Sequence, residues 1–258
     1  FWGDHLLQNS IITRQQHLND ETTRSFTRLF SQLSFENNSK LSTLQIGDNI
    51  TPSSPISRGV YFAGLQYGTS FMQRPGFVYW NIPTIQGSAL TPSNVDLYIN
   101  GVNSYSSRVN PGEFNIESGA FFNGDGKAQM IIEDVLGNKT VQNIDLSMTD
   151  QLLKKGLQDY NISVGRLRYN FDEDSDDYRD YFANIYYRKG ITNKFNLGMS
   201  SQFSEDLQNL GIFSSHYVPN IGILNIGAAY SQTDQQHGYK MNFGWSKNTA
   251  RYSFGLNS

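Results

Sequence analysis

A strict two-residue alternation, repeated along most of the chain, limits what this sequence can fold into. In FNLGMSSQF, Phe195, Leu197, Met199 and Phe203 share one face, and Asn196, Gly198, Ser200 and Gln202 share the other. YKMNFGWSK sets Tyr239, Met241, Phe243 and Trp245 against Lys240, Asn242, Gly244 and Ser246. RYSFGLN, LNIGAAYS and DYFANIYYRK repeat the pattern, the last with Tyr181, Ala183, Ile185 and Tyr187 opposite Asn184 and Arg188. A period of two places alternate side chains on opposite faces of a strand, and a helix cannot satisfy it. The first part of the chain behaves the same way. SFTRLFSQLSFE and LSTLQIGDN flank the turn Asn37-Asn38-Ser39, a hairpin signal, and SRGVYFAGLQYGTSF puts Tyr61, Ala63, Leu65 and Tyr67 on one face.

Alternation alone suits either a soluble sandwich or the wall of a membrane barrel. Aromatic residues crowding the strand ends favour the wall, as interfacial girdles do. So do connections that alternate in kind, NFDEDSDDYRD being long and acidic and KGITNK short. Charged residues are only 17% and aromatics 14% of the 258 residues, which suits sheets with one apolar and one Gly-, Ser-, Asn- and Gln-rich face. No apolar run is long enough for a transmembrane helix, and a barrel would not need one.

From about Ile82 to Leu146 the texture changes. Strands shorten, and Val95, Leu97 and Ile99, Phe114 and Ile116, and Met130 and Ile132 read as core positions. Turns fall at Asn100-Gly101, Pro111-Gly112, Gly124-Asp125-Gly126 and Gly137-Asn138, a spacing that predicts a small sandwich. The expected fold is therefore all-β: a transmembrane antiparallel β-barrel segment interrupted by a small β-sandwich. The expected divisions are barrel strands in 1–81, the sandwich in 82–147 and further barrel strands in 148–258. Roughly ten to thirteen strands of ordinary length are expected. The one candidate helix lies around Thr149 to Lys155.

Chemistry-bearing motifs are sparse. There is no cysteine, which removes disulfides and thiolate metal sites, and the net charge of −3 argues against a nucleic-acid surface. His5, His17, His216 and His237 are scattered and form no HExxH. In DEDSDD, Asp172, Asp174 and Asp176 alternate, but the sixth and twelfth places hold Asp177 and Ala183 where a calcium loop needs Gly and Glu. No GxSxG, Walker A or GxGxxG stretch occurs, so no catalytic site, nucleotide or cofactor is expected.

Several ordered stretches carry a family resemblance. LQIGDNI, ISRGVYFAGLQYGTSF, RPGFVYWNIPTIQGSALTPSNVDLYINGVNSYSSRVNPGEFNIESG and IIEDVLGNKTVQNIDLSMTDQLLKKGLQDYNISVGRLR together resemble the outer-membrane ushers of chaperone–usher pilus systems, in their divergent, archaic form. The resemblance runs from about Leu44 to the C-terminus. It implies a bacterial outer-membrane location, a pore that translocates and assembles pilus subunits delivered by a periplasmic chaperone, and a plug domain inserted between two wall strands that closes the pore at rest. Ushers have about two dozen strands, so this sequence, which lacks an initial Met, is expected to be a piece of something longer. On this reading the candidate gating contacts are the wall-side charges Arg58, Arg188 and Lys240 and the plug charges Asp96, Arg108 and Glu113. A general porin-type barrel with an inserted sandwich, or a soluble carbohydrate-binding or adhesin module, would show similar alternation.

Overall fold

A computed structural model of the chain describes residues 5–18, 21–71, 76–117, 124–248 and 252–257. In chain order, β1 (His5–Leu18), β2 (Glu21–Asn37), β3 (Ser42–Ile50) and β4 (Tyr61–Thr69) come first. Then follow β5 (Thr84–Ala89), β6 (Ser93–Ile99), β7 (Val102–Val109), β8 (Gly112–Glu117), β9 (Gly124–Asp134) and β10 (Lys139–Met148). The chain finishes with β11 (Gln158–Arg168), β12 (Tyr178–Thr192), β13 (Phe195–Ser204), β14 (Gln208–Val218), β15 (Gly222–Gln232), β16 (His237–Asn248) and β17 (Ser253–Asn257).

The first four and last seven strands form one antiparallel sheet of 11 strands, in the order β1-β2-β3-β4-β11-β12-β13-β14-β15-β16-β17. Every neighbour but one is also the next strand in sequence. The exception is β4 beside β11, and the six strands between them form separate sheets, β10-β9-β6-β7 and β5-β8. The inserted sheets face each other across Ile85, Val95, Leu97, Ile99, Ile116, Ala128, Met130 and Leu146, with Phe114 and Ile132 packed against this core. Alternating inward residues from two sheets enclosing one apolar layer make a sandwich.

Two expectations differ from what is found. The described residues hold 17 strands, more than the ten to thirteen expected. One strand that alternation does not reveal is β7, VNSYSSRV, which alternates little and is held by its pairing with β6. The stretch around Thr149 to Lys155 is a series of turns, with no helix. It buries the consecutive Leu152 and Leu153, and the Lys154 amide donates to the Tyr79 carbonyl at 2.7 Å. A helix would separate adjacent side chains by about 100° and could not press both leucines against one surface.

Candidate functional site: the inner face of the wall

Burial in the large sheet is inverted relative to a soluble protein. One continuous row across neighbouring strands is Ile46, Leu65, Val164, Ala183 and Phe203, and all but Ala183 are exposed apolar side chains. Further along, Ile212 is 63% and Met241 85% exposed. One residue over, on the opposite face, the row is Gln45, Gln66, Ser163, Asn184, Gln202, Asn209 and Ser231. Asn184 and Asn196 on that face are each only 1% exposed. Apolar outside and polar inside is what a strand needs when its outer neighbour is lipid and its inner neighbour is water.

Two segments fold back onto the wall, the first of them onto this inner face. The first is residues 51–60, between β3 and β4. Thr51 and Val60 continue the β3–β4 pairing, the Thr51 amide donating to the Val60 carbonyl at 3.0 Å. The tip then crosses the face of β11 to β13 and inserts Ile56 against Tyr186, Phe213 and Ala229. Glycine makes the socket: a Cβ on Gly211 or Gly227 would lie 2.2 or 2.4 Å from Ile56 side-chain carbons. The Phe213 ring in turn covers Gly198, whose Cβ would lie 2.4 Å from it. Around the tip, the Ser57 and Ser200 hydroxyls lie 3.1 Å apart. Gln202 donates to the Arg58 carbonyl, and Lys240 Nζ to the Ile56 carbonyl, each at 3.4 Å. Burying an isoleucine side chain contributes about 1.5–3 kcal/mol, so this strap is held as a built element.

The second is residues 169–177, between β11 and β12. It reaches past β3 and β4 to β2 and β1. Asp48, only 3% exposed, anchors it. Its Oδ2 accepts from the Ser31 amide at 2.9 Å and from the Arg28 guanidinium. Its Oδ1 accepts from the Tyr178 hydroxyl and lies 3.3 Å from Arg168 Nη1. The β1–β2 register shifts at Ser10/Ile11, which leaves Leu29 unpaired, and Arg168 donates to the Leu29 carbonyl. Gly47, at φ 111°, allows the bend beside it, where a Cβ would meet the Ser31 carbonyl at 2.3 Å. Arg28 donates to the Ser175 carbonyl at 2.6 Å, and Arg14 pairs with Asp172 at 2.9 Å. The acidic run is thus bound into the rim. Arg179, bonded to Asp177 at 2.7 Å, holds that carboxyl below the usual aspartate value. Among the described residues no cluster of His, Asp and Glu could hold a metal.

The inserted sandwich meets the other end of the wall. Tyr217 donates to Asp125 at 2.7 Å, and Gly124 lies against the Asn248 backbone. A gap of about 1420 Å³ separates the rest of that end from the wall turns, lined by Asn100, Lys127, Lys194 and Asn220. The first connector stacks on itself, Phe71 against Phe77 and Tyr79, with Tyr79 edge-on to Trp80. Burial, with nearby Asp150 adding to it, lifts the Tyr79 hydroxyl above the usual tyrosine value.

The six charges singled out in the sequence do not converge. Arg188 pairs with Asp159 at 3.0 Å and donates to the Gln151 carbonyl on the returning connector. Lys240 and Arg58 serve the strap as described. Asp96, on β6, Arg108, on β7, and Glu113, on β8, belong to the sandwich, and among the described residues no ion pair joins them to the wall. Arg108 and Glu113 lie toward the end of the sandwich away from Asp125. What sequence reasoning missed is Ile56 and the inward aromatics Phe62, Phe182, Tyr186 and Phe213. Their nearest signal is an aromatic out of phase with the apolar set, as Phe182 is between Tyr181 and Ala183.

An open antiparallel sheet with an apolar outer face, a polar inner face and a sandwich inserted between two adjacent strands is the wall of a transmembrane β-barrel carrying an internal domain. The sequence matches the family described as outer membrane usher protein over residues 2–256, and the chain belongs to that family. It is similar to the outer membrane usher protein CS3-2 of Escherichia coli, with 23% identity over 171 residues, 64% of this chain and 17% of that protein. The fold is similar to that of the P pilus usher (PapC) translocation pore, with a TM-score of 0.54 and 20% identity over 100% of this chain and 55% of that one. It is likewise similar to a chain of the E. coli P pilus tip assembly intermediate PapC-PapD-PapK-PapG, with a TM-score of 0.60 and 20% identity over 95% of this chain and 31% of that one. The chain thus spans about a sixth of the length of CS3-2.

Proposed function

We propose that this chain is the wall-and-plug part of a pore in the bacterial outer membrane, through which pilus subunits delivered by a periplasmic chaperone pass and assemble. The observation that carries the reading is the row Gln45 to Ser231, a lumen lining of neutral hydrogen-bonding groups spanning seven strands. Gln45, Gln202, Asn209 and Ser231 of that row are partly exposed and offer a passing folded protein water-like contacts. The similarity to ushers, one of them solved in a pilus tip assembly intermediate, supports the same reading. The sandwich, residues 82–147, is the plug, and its few contacts with the rim suit a domain that must move aside. Asp96, Arg108, Glu113, Arg58, Arg188 and Lys240 remain its candidate gating charges, acting in arrangements other than the resting contacts described.

The longer connections, 51–60 and 169–177, share one end of the wall, and the sandwich hangs from the other. Outer-membrane barrels turn short on the periplasmic side and long on the outer side, so the plug faces the periplasm. No covalent chemistry, nucleotide or cofactor enters this account. Subunit folding and donor-strand exchange, in which a strand of one subunit completes the next, supply the drive. The test places a photocrosslinking side chain in the complete protein at Gln202, inward, or Ile212, outward, during pilus assembly. Crosslinks to subunits from Gln202 and none from Ile212 are expected; the reverse pattern would overturn the reading.

A further inference from the structure

Near the long-loop end, the outer face of the wall departs from a plain apolar surface. A shallow groove of about 820 Å³ runs across β4, β11, β12 and β13. Its floor is made of small residues, Ala63 and Ala183, between the larger Leu65, Val164 and Phe203. The register explains the depression: Val164 stands opposite both Leu65 and Ala183, and Ala183 opposite Phe203, so a methyl group sits where its neighbours carry longer chains. At the head of the groove Arg166 stands opposite Ala63 and Tyr181, with its guanidinium 4.7 Å from the centre of the Tyr181 ring. Arg166 is exposed, and among the described residues no carboxylate lies within ion-pair distance of it. Glu205, on the far side, accepts from the Tyr181 amide at 3.1 Å.

An arginine on a lipid-facing strand is destabilising unless it reaches the headgroup layer or a counter-charge. Arg166 is two residues from the end of β11, and its planar fork, steadied by stacking on Tyr181, matches a phosphate bidentately. The groove below it is apolar, open to the membrane and about four strands wide, roughly 14 Å at the spacing of strands in a sheet. That width takes more than one acyl chain. We infer that this groove is a specific site for a phosphate-bearing lipid of the outer leaflet, with the phosphate on Arg166, the acyl chains along Ala63 and Ala183, and headgroup donors facing Glu205. The inference rests on the reading of the long-loop end as the outer one.

The test uses the complete protein in nanodiscs of neutral phospholipid doped with lipid A or with lipid A stripped of its phosphates. Retained lipid is counted by native mass spectrometry. The wild type is expected to hold the phosphorylated form and to lose it about tenfold more readily as Arg166→Gln, the order of one charge-assisted hydrogen bond. Ala183→Trp, which fills the floor with a side chain membranes tolerate near the interface, should weaken retention with Arg166 intact. Equal retention by wild type and both variants, or equal retention of the stripped lipid, would overturn the site. Orientation is read separately: a cysteine in place of Gln235, in the β15–β16 turn, should react on intact cells with a membrane-impermeant maleimide. Failure there removes the outer-leaflet assignment, and lipid counting alone decides the groove.

Discussion

A change at Asp48 reaches β2, β11 and β12 at once. Its carboxylate receives Arg28, Tyr178 and the Ser31 amide, with Arg168 3.3 Å away. Arg168 has a side-chain exposure of 1%, so removing the carboxylate strands a buried cation. Asp48→Ala is expected to cost about 3–5 kcal/mol and to release residues 169–177. Urea unfolding followed by heat-modifiable gel migration measures the first, and protease sensitivity of the 169–177 loop the second; unchanged values in both would contradict the assignment. The strap gives a sharper test, because the sequence holds no native cysteine. Ser57→Cys with Ser200→Cys should form a disulfide under mild oxidation, since the hydroxyls they replace are 3.1 Å apart. If the thiol introduced at position 57 instead stays reactive towards maleimide, the strap does not lie on the wall. Neither feature was legible in the sequence. Asp48 stands in a GD pair that marks only the family, and TPSSPISRG reads as a surface turn, because nothing local shows that Gly211 and Gly227, four and five strands from β4 in the sheet, leave room for Ile56.

At the scale of the element, the strands themselves were legible where alternation was strong. The apolar set Phe195, Leu197, Met199 and Phe203 follows from sequence alone, and Leu197, Met199 and Phe203 are exposed on the outer face. Legibility failed where side chains do not decide the conformation. β7 is a strand by pairing, and residues 149–157 take the shape that two buried leucines and the neighbouring connector impose. The inward aromatics were hidden for a related reason: alternation ranks residues by polarity, and Tyr186 and Tyr187 have the same polarity on opposite faces. The faces have an energetic consequence. Ile212, mid-strand in β14 and facing lipid, should tolerate arginine poorly, at about 2–4 kcal/mol near the midplane. Gln202→Arg on the inner face keeps a donor for the Arg58 carbonyl. The complete protein with Ile212→Arg is expected at reduced outer-membrane levels, and with Gln202→Arg at wild-type levels. Equal levels would mean the faces are assigned the wrong way round.

For the whole molecule, the fact to explain is that β4 and β11 are hydrogen-bonded neighbours although six strands separate them in sequence. Seven register pairs, from Asn161 with Gly68 to Leu167 with Phe62, close the wall behind the insertion. The sheet is therefore continuous behind the insertion and does not depend on where the sandwich sits. Its own core is self-contained, and its hold on the rim centres on a Tyr217–Asp125 hydrogen bond and the packing of Gly124 on Asn248. One neutral-to-charged hydrogen bond contributes about 1.5–3 kcal/mol. The central claim is that this domain closes the pore. The direct measurement is single-channel conductance of the complete protein with residues 82–147 replaced by a short Gly/Ser linker, alongside its capacity to assemble pili. The account predicts large, steady conductance where the intact protein is nearly closed. Conductance that stays low after the deletion, with pili still formed, would contradict it and assign the domain to subunit binding instead.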